Sequence, residues 1–174
     1  MIKSHTKRLG SSLPYIFILM FFSGTIVGSL FARISPYSFV FQQISASKTV
    51  IFTNSFISFL KPCFVIWILG FCKSSLYFSS AILAYRGGLI GFVIGCIFKE
   101  YGIAKGLFVS LSATLPQNIL FFPFLLFLTM ASACHKNTKD NLSYLILLLL
   151  SVALSALSAF IDTYITSFLI KLTL

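Results

Sequence analysis

From Leu13 to Ile170 the chain is a train of apolar runs separated by polar steps of only a few residues. Several runs reach the ~20 residues that a helix needs to cross a bilayer. Inside lipid every backbone N–H and C=O must find its partner within the segment or in a closed barrel, so runs of this length and pattern predict helices. Composition agrees. The chain is 58% hydrophobic and 9% charged, with 21 Phe, whereas about a quarter of a soluble globular sequence is charged. The expected architecture is all-α: a polytopic membrane helix bundle forming a single integral membrane domain over residues 1–174.

The net charge of +10 does not point to nucleic acid. Its 13 basic residues are scattered one or two at a time between apolar runs and make no stripe of the kind phosphate binding requires. At membrane boundaries they orient the chain and meet anionic headgroups, so membrane lipid is the expected partner. The cysteines Cys63, Cys72, Cys96 and Cys134 are isolated, and His5 and His135 lie in polar stretches. No metal site is expected from them, since a site needs three or four converging ligands. Only three acids exist, Glu100, Asp140 and Asp162, and no phosphate-loop, zinc-helix or dinucleotide motif occurs. Neither catalysis nor a cofactor is expected from this inventory.

Taken in order, residues 1–12 form a basic N-terminal segment with Lys3, Lys7 and Arg8, read as cytoplasmic. Leu13 to Ala32 reads as a retained first helix rather than a cleaved signal, because Leu30 spoils the small-residue pattern of a cleavage site after Ala32. Residues 33–50 read as an external or interfacial segment, with Tyr37, Phe39 and Phe41 suited to the headgroup region. A second span is expected from Val50 to Cys72, kinked at Pro62, and a third from Leu76 to Phe98, with a turn at Lys99-Glu100-Tyr101-Gly102. Residues 103–114 are too few to cross, so a half-helix is expected there, broken at Pro116, and then a full span from Pro116 to Ala133. The last span runs from Leu142 to about Ile170. That makes five transmembrane helices plus one partial helix, multi-pass in the cell membrane. Leaving aside Lys61 and Arg86 within the spans, the basic residues divide six inside to five outside, and the basic N-terminus favours N-in, C-out.

Two sets of residues stand out within the spans. Gly87, Gly91 and Gly95 recur every fourth residue, as do Gly24 and Gly28 in the first span. Such a face carries almost no side chain and admits a second backbone, from this chain or from another copy of it in a homo-oligomer. The other set is polar: Arg86, Asp162 and Lys61, with the amides Gln117 and Asn118 beside Pro116. Two readings apply to the charged three: an ion or substrate path, or an internal ion pair with Lys61 snorkelling. Arg86 with Asp162 is the expected pair, and Lys61 is the rival partner of Asp162.

The order Trp67-Ile-Leu-Gly70, Tyr85-Arg86-Gly87 leading to Gly91 and Gly95, Tyr101-Gly102, then Leu115-Pro116-Gln117-Asn118 and Pro123 resembles the stage II sporulation protein M family. The resemblance implies a membrane protein of endospore-forming bacteria, sited at the sporulation septum. It implies a non-catalytic anchor for the stage II sporulation proteins D and P, the peptidoglycan hydrolases that thin the septal wall during engulfment. The external segment between the first two spans is short here, about eighteen residues by the span boundaries. The wider family includes members outside sporulation, so a permease-like component of a transport system stands as the alternative, suggested by the proline-broken stretch and Arg86.

Overall fold

A computed structural model describes residues 2–35, 48–72, 74–138, 141–166 and 168–169. Every regular element among them is helical: α1 (Ile2–Ile34), α2 (Lys48–Leu69), α3 (Ser75–Thr138), α4 (Asn141–Ile161) and a π-helical turn, Asp162–Thr166, that continues α4. Four helices are long and apolar enough to cross a membrane, over Leu13–Ile34, Lys48–Leu69, Ser75–Ala133 and Leu142–Thr166. Most of the expected segment 33–50 lies outside the described residues; α1 takes in Arg33 and Ile34, and α2 begins at Lys48.

The 59-residue, largely apolar stretch of α3 would measure ~90 Å as one rod, about three times a bilayer core. They do not form one rod. Gly102 has φ 73° and ψ −177°, a conformation open essentially to glycine alone. It divides α3 into limbs 75–101 and 103–138 that fold back on each other. Phe98 lies against Gly106 near the turn, Arg86 faces Phe121 further along, and Ser75 meets Ser132 near the far end. The turn expected at 99–102 is thus a single-residue reversal, helical up to Tyr101.

The half-helix broken at Pro116 is not what forms. The limb runs without a break through both Pro116 and Pro123, and Gly102 is the position with non-helical backbone angles. Proline removes one backbone donor and crowds the carbonyl four residues earlier. The carbonyl that Pro116 leaves without its usual backbone donor is that of Ser112, and the nearby side-chain bonds go to its neighbours: Gln117 Nε2 donates to the Ala113 carbonyl at 3.1 Å, Asn118 Nδ2 to Thr114 at 2.7 Å, and Thr114 Oγ1 to Ser110 at 2.7 Å. The amides that suggested a broken helix bond back onto a continuous one. Pro62 likewise sits inside α2 without ending it.

The core gathers every helix. Phe17 of α1, Phe59 and Ile66 of α2, Leu83 and Leu125 from the two limbs of α3, and Ala159 of α4 pack in one buried cluster. At one end, Trp67 and Tyr144 clasp α2 to α4. Trp67 Nε1 donates to the Tyr144 carbonyl at 2.9 Å, Tyr144 Oη returns a bond to the Trp67 carbonyl at 2.6 Å, and the rings stack 5.4 Å apart. Ser132 Oγ adds a bond to the Ile66 carbonyl at 3.0 Å. Each polar tip in this clasp therefore has a partner, as aromatic residues with a polar handle require when buried.

Candidate functional site: a polar chamber beside a glycine seam

The limb 75–101 presents two unlike faces. One carries the glycines and docks along α1, the two running parallel. A Cβ built on Gly24 would collide with the backbone of Ala84, and one on Gly28 with that of Gly88. From the other side, Gly87 meets the backbone of Phe21, Gly91 that of Thr25, and Gly95 the Ala32 Cβ and the backbone of Ser29. All five glycines singled out in the sequence therefore lie in one seam within the chain, facing one another's helices. Direct backbone approach of this kind is what small-residue faces allow in lipid, where van der Waals contact drives association.

The opposite face of the same limb carries Arg86, Ile90 and Val93, which line a cavity of about 310 Å³. Asn54, Ser55 and Ser58 of α2, Thr114, Gln117 and Asn118 of the second limb, and Asp162 and Thr166 of the π turn supply the polar part of its wall, with Phe59, Leu89 and Ala113 among them. Of the intramembrane polar residues expected from the sequence, Arg86, Asp162, Gln117 and Asn118 thus come together here. Lys61 does not. It is exposed at the margin of a neighbouring cleft of about 430 Å³ between α2 and the first limb, with Pro62, Tyr85 and Arg86 also on its wall.

Arg86 and Asp162 share the chamber without touching. The Arg86 guanidinium lies over the ring of Phe59, 4.7 Å from its centroid, and 5.4 Å from that of Phe121. Its Nη1 donates to Ser58 Oγ at 3.3 Å. Asp162 accepts a 2.5 Å bond from Ser55 Oγ. Two serines of α2, three residues apart, therefore hold the two charges, and among the described residues no ion pair joins them. Cation–π contact is worth ~0.5–2 kcal/mol, less than a central charge costs on insertion, ~2.5–3.5 kcal/mol.

Polar atoms without partners concentrate here. Among the described residues six buried side-chain atoms lack a hydrogen bond, and four of them belong to this wall: Arg86 Nε, Gln117 Oε1, Asn118 Oδ1 and Thr166 Oγ1. The orientation of the two amides is not arbitrary. Only an NH₂ group can donate to the Ala113 and Thr114 carbonyls, so the oxygens are the atoms left over. Each unsatisfied buried group costs ~1–3 kcal/mol, and π turns of the kind that carries Asp162 and Thr166 occur frequently at functional sites.

Ser55, Ser58, Thr114 and Thr166 were not singled out in the sequence, and Asn54 stood out only as a polar interruption of the second span. Single hydroxyls in apolar helices usually bond back to their own backbone and give no periodic mark. The one legible trace is Asn54, Ser55 and Ser58 lying within a turn of one another in an otherwise apolar span.

The chain matches the family model described as Stage II sporulation protein M over residues 16–167, nearly all of the helical bundle. No curated protein and no solved structure matches it.

Proposed function

We propose, for a chain that belongs to the stage II sporulation protein M family, that it is the non-catalytic membrane scaffold of a septal peptidoglycan-degrading complex needed for engulfment. The observation that carries this reading is the family match over residues 16–167. The antiparallel limbs of α3 support five membrane crossings, one from each limb and three from α1, α2 and α4. With the basic N-terminus inside, the Gly102 turn and the C-terminal end of α1 face outward, where wall hydrolases act. The partners in this reading are the stage II sporulation proteins D and P, which supply the hydrolytic chemistry, and membrane lipid around the exposed apolar faces.

The test is deletion of the gene followed by electron microscopy of sporulating cells. The expected outcome is arrest with a septum whose peptidoglycan is not thinned, together with recovery of wall hydrolases on the purified chain. A deletion strain that thins its septum normally, or robust wall cleavage by the purified chain alone, would sink the proposal.

A second reading, a permease-like component, is favoured by one specific observation: a chamber between the helices with Arg86 and Asp162 on its wall, as intramembrane ionisable groups often line substrate or ion paths. A transport defect in sporulation-neutral growth conditions would favour it over the scaffold.

A further inference from the structure

The chamber assigns a ligand class that neither reading requires. Its wall holds one guanidinium and one carboxylate that do not pair with each other, each steadied by a serine of α2. Two amide oxygens and the Nε–H of Arg86 remain without partners. We infer that the chamber binds a small zwitterion of the α-amino-acid class, its carboxylate on Arg86 and its ammonium among Asp162 and the oxygens of Gln117 and Asn118.

Three arguments lead there. The first is charge. With Arg86 and Asp162 both ionised the wall is neutral, and a neutral zwitterion keeps it so. A lone anion or cation would leave an uncompensated charge in low-dielectric surroundings, where charge is expensive. The second is hydrogen-bond type. Arg86 offers a donor suited to a carboxylate, and the amide oxygens and Asp162 offer acceptors suited to an ammonium, so donors and acceptors are matched to the two ends of one molecule. The third is room: about 310 Å³ is at the small end of ligand sites and suits a ligand of a few heavy atoms. Phe59 and Phe121 pack against the guanidinium, so little side-chain freedom is lost when a carboxylate binds.

The experiment uses the full chain in lipid nanodiscs and saturation-transfer NMR with glycine, alanine, serine and valine. Propionate and ethylammonium serve as matched halves of alanine, each lacking one charged end. Binding of at least one amino acid, with neither half-molecule bound at the same concentration, is the expected result. Arg86→Gln and Asp162→Asn should each weaken that binding roughly 10- to 100-fold, the worth of one charge-assisted contact. The matched-ligand comparison needs no variant, so it decides the matter even if both substitutions prevent folding. The inference is overturned if none of the four amino acids binds, if propionate or ethylammonium binds as well as alanine, or if folded Arg86→Gln and Asp162→Asn bind unchanged. Failure here leaves the scaffold reading standing, since septal thinning and hydrolase recovery do not depend on an occupied chamber.

Discussion

The limb 75–101 of α3 meets its neighbours in two opposite ways within a single turn of helix. On the seam side, Gly87, Gly91 and Gly95 leave no space for even one carbon against α1. On the chamber side, Arg86, Ile90 and Val93 face a cavity of about 310 Å³ where polar atoms go without partners. The contrast separates two kinds of constraint. The seam limits volume, because its contacts are backbone on backbone and cannot yield by a rotamer change. The chamber limits polarity and charge, and tolerates volume.

The largest expected effect comes from filling the seam. Gly91→Leu places its side chain against the Thr25 backbone, so α1 and α3 must separate. Its cost should exceed the ~1–3 kcal/mol of ordinary overpacking. Monodisperse protein after detergent extraction should fall to background, whereas Leu89→Ala, at an exposed position on the same limb, should extract normally. Equal yields would break the distinction between the two faces.

A middle-sized effect is expected at the turn. Gly102 has nothing within 4 Å of a built Cβ, so its substitution meets no steric obstacle, yet its φ of 73° is unsuited to any other residue. Gly102→Ala should therefore destabilise by ~1–3 kcal/mol through the backbone alone. A thermal unfolding series should show Gly102→Ala and Gly102→Ser losing about equally; a loss that grows with side-chain size would point to packing instead.

Tyr144→Phe sharpens the polar side of the comparison. It removes the 2.6 Å bond to the Trp67 carbonyl but keeps the ring stack, and the expected loss is ~0.5–1.5 kcal/mol. Chemical denaturation in mixed micelles would read it. The smallest effect belongs to Gly88→Ala. Its Cβ would meet the Gly24 carbonyl oxygen at 3.6 Å, an ordinary contact, so stability should stay within ~0.5 kcal/mol of the parent. If Gly88→Ala proves as damaging as Gly91→Leu, the seam is not limited by the contacts described.

The seam was legible because its cause is local: glycines four residues apart must share a helix face, whatever that face meets. What they meet was not. Nothing in Gly24 or Gly28 says that their partners are Ala84 and Gly88 of the same chain rather than those of a second copy. The turn at Gly102 was visible as a polar, glycine-containing step between apolar runs. The error at Pro116 has the opposite origin. Proline acts through one missing donor, and the sequence does not announce that Phe121, Leu125 and Leu128 will pack this limb into the core as a continuous helix. The chamber lay between these cases. Arg86, Asp162, Gln117 and Asn118 stood out because polar groups are rare in such runs. That Ser55 and Ser58 would keep Arg86 and Asp162 apart depends on how α2, α3 and α4 pack.

The parallel seam also sets a schedule. Gly24 of α1 waits for Ala84, sixty residues further along the chain. At translation rates of ~5–20 residues per second that is roughly 3–12 s during which the small-residue face of α1 stands in the bilayer without its mate. The two limbs of α3 meet first beside the Gly102 turn, although their far ends, Ser75 and Ser132, are separated by a similar length of chain. Exchange of α1 between two nascent copies has its opening in that interval, before the first limb of α3 arrives to cover the glycine face.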